Sequence, residues 1–418
     1  MDLDVYVKDR AAAIRTGKAL LWDMQVGSDG VTACASCHYQ AGADGRDKNQ
    51  LAQGRDGRWD SGHALNQQLT TTTRFPFTKF ASVNDPFSAK KWNYNEIVCS
   101  QGVLAMTYIA ITNTAVDAGT VRPGEASSSG GINIRQVTGR NAPSVINAIF
   151  NDRNFWDGRP HNEFDGVNPF GNCDVNARVY ENIDAVTGQA TPLRIAIANA
   201  SLASQAVGPV NSDVEMAHGG RDFAAVGKKF LALQPLGLQK VSTTDSILGS
   251  LANPTSNGLD TTFGPLISAA LQPKWISGVN KFSVAAGRVV PDLAGGPLSN
   301  ATTPVQGQEL LLGLGFVYPA EFMPMTDAIN SAYDIGYYNI GIRPTLDDLG
   351  IGGNDPFGVP LSYAKRIQLG ILIDDNRLFD NFIYPDSRLA IEDAFKTPML
   401  RNVALTGPYM HNGGYDTE

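Results

Sequence analysis

The chain has 418 residues, enough for two or three domains with sizeable buried cores. Lys and Arg number 33 against 41 Asp and Glu, a net charge of −8, and only 18% of residues are charged, while Gly reaches 43 and Pro 23. So acidic and loop-rich a composition argues against nucleic-acid binding, and the longest apolar run, residues 310–318, falls well short of the ~18 residues that span a bilayer.

In chain order, the first four residues lack the charged and apolar regions of a secretory leader, so any leader is expected to have been removed. Apolar periodicity predicts a first helix over 9–22, with Ile14, Gly17 and Leu21 on one face. Then comes Cys34-Ala-Ser-Cys37-His38, the C-x-x-C-H attachment signature of c-type haem. Two thiols add across the haem vinyl groups, and the adjacent imidazole becomes the proximal iron ligand. A thioredoxin-like pair or half a zinc site would not need His38, and no second C-x-x-C completes a zinc site. Haem c is attached outside the bacterial cytoplasm, so a periplasmic or extracellular location is expected. Cys99 and Cys173 are either disulfide-bonded there or buried free thiols.

Further helices are predicted over 193–205, 221–233 and 306–314, with sparse strand signals and long Gly/Asp/Asn/Ser loops such as 42–57 and 126–132. The expected fold class is therefore mainly α, with two cytochrome c-like domains whose long loops pack around haem. An ordered internal repeat supports two domains. Gly17-Lys-Ala-Leu-Leu21 resembles Gly307-Gln-Glu-Leu-Leu311. Pro143-Ser-Val-Ile-Asn147 leads to Trp156-Asp-Gly158 after the same 13-residue interval by which Pro398-Met-Leu-Arg-Asn402 leads to His411-Asn-Gly413. The boundary is placed in the Gly/Pro/Ser-rich stretch 295–304, giving domains 1–298 and 299–418. The offset of 17 residues from Gly17 to Cys34, applied to Gly307, lands on Pro324, where 321–327 holds neither Cys nor His. A second haem of ordinary c-type attachment thus has no anchor here.

These elements together resemble the bacterial di-haem cytochrome c peroxidase family, which includes the MauG-type enzymes. The resemblance runs from Gly17–Trp22 and Cys34–His38 through Arg140-Asn-Ala-Pro-Ser-Val-Ile-Asn147, Phe155-Trp-Asp-Gly-Arg159 and Gln205-Ala-Val-Gly-Pro209 with Glu215-Met216. It continues to Tyr338-Asn-Ile-Gly341, Phe395-Lys-Thr-Pro-Met-Leu-Arg-Asn402 and Pro408-Tyr-Met-His411-Asn-Gly413. It implies that Gln205, Pro209 and Glu215 line the distal side of the peroxidatic haem, with Glu215 moving a proton between the oxygens of bound peroxide. Trp156 would relay electrons between haems. Asn141, through its side chain, and Thr406 and Pro408, through their carbonyls, would bind calcium between the domains. The implied substrate is hydrogen peroxide, the electron donor a small cytochrome or cupredoxin, and a homodimer stays open. The family's resting distal His would fall at Gly54. Its absence resembles the MauG-type and rubber oxygenase branches, and Glu215 argues against the latter. His63 is expected on an exposed loop, and His161 and His218 at the surface or behind the site. The family's second-haem Met or Tyr ligand lies past Glu418, so Met410 and His411 are not assigned to it. The second haem is lost, held by unidentified residues, or anchored in sequence not represented around 285–330 and after 418. Rival readings are a non-enzymatic electron-transfer cytochrome and a MauG-type oxidase acting on a partner protein.

Overall fold

The computed structural model describes residues 3–276 apart from breaks at 47–49, 61, 66, 71–74, 83–84, 86, 123–127, 130 and 182–190. Beyond these it describes 282–285, 288–291, 337–339, 348, 353–371, 394–396 and 403–415. The expected boundary at 295–304, the helix at 306–314 and the segment 321–327 lie outside the described residues.

The first helix forms as its sequence dictates. In α1 (Arg10–Trp22) the carboxylate of Asp9 accepts from the Ala12 amide at 2.9 Å, an N-cap that satisfies one of the helix's orphan donors. Ala13, Thr16, Gly17 and Leu20 are buried at i, i+3, i+4 and i+7. These small residues admit a close neighbour, α4 (Phe263–Ala270), and Thr16 donates to the Leu266 carbonyl at 3.3 Å. The face is displaced from the one predicted. Ile14 is half-buried, and Leu21 points into the cavity described below.

Two further helices were expected between them. α2 is only Ser201–Ala206, because Phe164 and Ile197 exchange backbone hydrogen bonds (3.0 and 2.9 Å) and Asn199 turns left-handed at φ 58°. That tertiary pairing overrides the local helical pattern. α3 (Phe223–Ala232) is capped by Asp222, which accepts from the Ala225 amide at 2.8 Å, and buries Phe223, Val226 and Phe230. With α1 and α4 these residues form the main core, completed by Trp275. The last described helix is α5 (Tyr363–Gln368).

The fold is not mainly α. Among the described residues these five α-helices span 6 to 13 residues, and eight separate antiparallel two-stranded ribbons accompany them. The ribbons concentrate in 51–137, where a stretch such as Met106–Ala110, with Thr107, Tyr108 and Ile109, is rich in residues that favour extended backbone. In chain order they include β1 (Gln101–Leu104), β2 (Met106–Ala110), β3 (Ala118–Val121) and β4 (Arg135–Val137), with β1 pairing β4 and β2 pairing β3. A satellite cluster of Leu51, Phe75, Phe77, Tyr94 and Val98 packs beneath the neighbouring ribbons.

The ribbons also support a functional loop. The Val103 amide donates to Val214 O (3.3 Å), Gly219 donates to Met106 O (2.8 Å), and Tyr108 donates to Gly219 O (2.9 Å). β1 and β2 therefore run beside the segment that carries Glu215.

Candidate haem and peroxide site

A cavity of about 360 Å³ opens between α1, α2 and the loops 138–159 and 209–216, within the range of cofactor pockets. Its wall includes Cys34, Cys37 and His38, and also Trp156, Gln205, Pro209 and Glu215. Residues up to 181 positions apart in sequence, predicted to serve one haem, thus meet in one space.

The thiols and imidazole come from a 3₁₀ turn, Cys34–Ser36, whose Ser36 hydroxyl accepts from the Ala33 amide at 3.0 Å. His38 Nδ1 lies 2.9 Å from the Gly42 carbonyl, which also accepts from the Val145 amide at 3.0 Å. Nδ1 is thereby the protonated nitrogen, leaving the Nε2 lone pair for a metal. Gly42 sits at φ +82°, and a Cβ there would come within 2.8 Å of Ser144 Oγ. Burial pushes His38 below its ordinary range and the thiols upward, Cys34 to about 12 and Cys37 to about 11. Such thiols are unlike the low-pKa cysteines of thioredoxin-like redox pairs. Cys34 Sγ rests 3.9 Å from Met216 Sδ. The donor set fits a haem: two free thiols, one imidazole with its outer nitrogen occupied, and an apolar wall that includes Leu21, Val145, Leu202 and Val214.

Glu215 enters on a tight turn in which the amides of Glu215, Met216 and Ala217 all donate to the Ser212 carbonyl (2.8–3.2 Å). Burial raises its carboxyl above the ordinary range, against a hydrogen bond from Ser212 and the charge of Arg159. Gln205 is buried on α2, and Pro209 opens the following 3₁₀ turn. Trp156 is 9% exposed; its Nε1 donates to Asn141 O at 2.9 Å. Its ring meets His411 edge-on at 6.4 Å, and His411 stacks on Phe395 at 3.8 Å. Trp156 therefore links the cavity to the C-terminal segment.

Asn141 and Pro408 are brought together, since the Asn141 side-chain amide donates to the Pro408 carbonyl and its backbone amide donates to His411 O at 2.8 Å. Thr406 stands two residues before Pro408, its hydroxyl bonded to Val403 O at 3.0 Å. Among the described residues there is no cluster of three His, Cys, Asp or Glu suited to a metal ion.

Of the other histidines, His63 differs from expectation. His63 is buried rather than on an exposed loop, with Nδ1 2.9 Å from Glu96 and its ring against Phe77 and Tyr94. His161 and His218 are buried too, and His161 faces Cys173 at 3.8 Å. Cys99 is buried, and both Cys99 and Cys173 are free thiols rather than a disulfide. Arg159 and Leu21, to which the sequence reading gave no role, also line the cavity.

A pocket with paired thiols, a poised imidazole and a desolvated carboxyl has the makings of a haem-dependent oxidoreductase site. Residues 112–234 match the family model described as di-haem cytochrome c peroxidase, the family that the resemblance implied. The family carries haem and acts as a peroxidase-like oxidoreductase, with hydrogen peroxide as its substrate. The matched segment contains Asn141, Trp156, Gln205, Pro209 and Glu215; Cys34–His38 lies upstream of it. No curated protein matches the chain. Among the described residues no helix is long and apolar enough to cross a membrane.

Proposed function

We propose that this chain reduces hydrogen peroxide to water at a haem c held by Cys34, Cys37 and His38. The observation that carries the reading is that this attachment set and Glu215 line one cavity. A haem held there would supply a redox-active iron for peroxide reduction. The balance is H2O2 + 2 e⁻ + 2 H⁺ → 2 H2O. Burial favours the neutral acid of Glu215, which can give its proton to the far peroxide oxygen while its other carboxyl oxygen takes the proton of the near one, so that the acid is restored. The Gln205 amide, able to donate and accept, orients peroxide. Pro209 brings an apolar ring and no backbone donor. Trp156 passes electrons delivered by a small cytochrome or cupredoxin.

The reading includes the two-domain division at 1–298 and 299–418, calcium on Asn141, Thr406 and Pro408, and a periplasmic or extracellular location. Asn141 and Pro408 are neighbours, and the Asn141 side-chain oxygen with the Thr406 and Pro408 carbonyls would supply the hard oxygen donors that suit that ion. Intact-mass measurement counts covalent haems, and at least one per chain is expected. Glu215→Gln should lower peroxide turnover per haem by roughly 10²-fold or more. A chain without covalent haem, or a Gln variant as fast as the parent, overturns the reading. A pure electron carrier would turn over no peroxide with either residue.

A further inference from the structure

We infer that Asp117, Arg221 and Lys229 form a buried ionic clamp that positions Glu215 over the cavity, which makes them positioning residues for peroxide reduction. The inference rests on the acid–base role proposed for Glu215. All three side chains are fully buried, and both cations share one carboxylate: Arg221 Nη1 is 3.1 Å from Asp117 Oδ2, and Lys229 Nζ is 3.0 Å from Oδ1.

The remaining donors of these cations reach across two irregular segments. Arg221 donates to Val210 O (2.5 Å) and Met216 O (3.3 Å) on the Glu215 loop and to Val26 O (2.7 Å) on the chain leading to the haem motif. Lys229 donates to Gly27 O at 2.9 Å. Ser28 completes the junction. Its amide donates to Met216 O, its hydroxyl accepts from the His218 amide, and its carbonyl accepts from the Asp117 amide, each at 2.8 Å.

Val26 and Val210 lie only in single 3₁₀ turns, and Gly27 and Met216 in no helix or strand; an unmet buried carbonyl is costly. Burying three charges is a poor way to gain stability, since well-packed apolar residues commonly do as well. Burial in fact pushes both Arg221 and Lys229 downward, opposed chiefly by Asp117. What charges supply and apolar residues cannot is directed donation to five carbonyl and carboxylate acceptors at once. That fixes the distal loop relative to the segment that delivers Cys34 and His38.

The test is a double-mutant cycle in the haem-loaded chain, using Lys229→Met, Glu215→Gln and the pair. Lys229→Met should lower kcat per haem by about tenfold or more, leave KM for hydrogen peroxide within about twofold, and add nothing in the Glu215→Gln background. If Lys229→Met alone yields no haem-loaded protein, Ser28→Ala, which changes no charge, carries the same test with a smaller loss of kcat. A clamp variant at the parental rate, or losses that multiply in the double variant, overturns the clamp while leaving Glu215 in place. A Glu215→Gln variant at the parental rate removes the underlying reading and the clamp with it.

Discussion

Glu215 is the residue where burial and chemistry meet most directly. Its carboxyl titrates above the ordinary range because the cavity disfavours the charged form. A carboxyl whose folded pKa is raised loses folded-state stability as pH climbs from its unfolded value through its folded one, because the native state there holds the extra proton. Glu215→Gln removes this penalty. Thermal melts of parent and variant should coincide near pH 4, about the unperturbed Glu value, with the variant melting higher at pH 8. Equal melting at both pH values would mean that the carboxyl is not disfavoured by its surroundings. Most residues of the site could be read from the sequence, because their chemistry fixes spacing: two thiols and an imidazole within five positions, then Gln205, Pro209 and Glu215 in register. The fate of His63 could not be read, since its burial depends on Glu96 and Tyr94, some thirty residues further along the chain.

At the level of elements, the site depends on how closely a ribbon approaches a loop. Gly102 in β1 has no side chain where one would collide: a Cβ there would stand 1.8 Å from Val214 O and 2.9 Å from Glu215 O. Gly102→Ala must move the strand or the Glu215 loop, at a cost of about 1–3 kcal/mol by analogy with overpacked cores. Denaturant unfolding measures that cost, and a parallel fall in peroxide turnover per haem is expected. An alanine variant with parental stability and rate would show that the approach is not needed. α1 and α3 were legible because each combines an Asp N-cap with 3.6-residue periodicity. The ribbons were not. Their strands are short, and their register comes from partners such as Leu104 with Arg135, 31 residues apart, rather than from a strong alternating pattern. Helix 193–205 was over-extended for the converse reason, because the Phe164–Ile197 pairing claims its first half.

Across the whole molecule, an alternating chain of charge ties the cavity to distant sequence. Arg159 and Arg140 both pair with Asp157 (2.7 and 2.8 Å), and Arg140 also pairs with Asp348, near His411. Burial pushes the Asp157 carboxyl up, but the two guanidiniums outweigh it and hold the group well below the ordinary range. Its contribution to stability is present above the usual carboxylate pKa and is lost as pH falls through the depressed value. Asp157→Asn takes the carboxylate from Arg159 and leaves the largely buried Arg140 with Asp348 alone, and should cost about 3 kcal/mol, the lower end for a broken buried pair, in denaturant unfolding at neutral pH. A loss under about 1 kcal/mol would place this network with ordinary surface ion pairs. The contacts of Trp156 with Phe395 and His411, like the bonds of Asn141 to Pro408 and His411 and of Val98 to Asn412, join earlier parts of the chain to its C-terminal segment.

The bond from His38 Nδ1 to the Gly42 carbonyl has a consequence for electronic tuning. A neutral peptide oxygen, already shared with the Val145 amide, draws less on the ring proton than a carboxylate would. The imidazole would therefore keep the character of a neutral ligand, with moderate donation to a metal bound at Nε2. The strength of that donation is set by one peptide dipole in a glycine turn. Moving that turn would retune the metal's redox behaviour without altering any ligand.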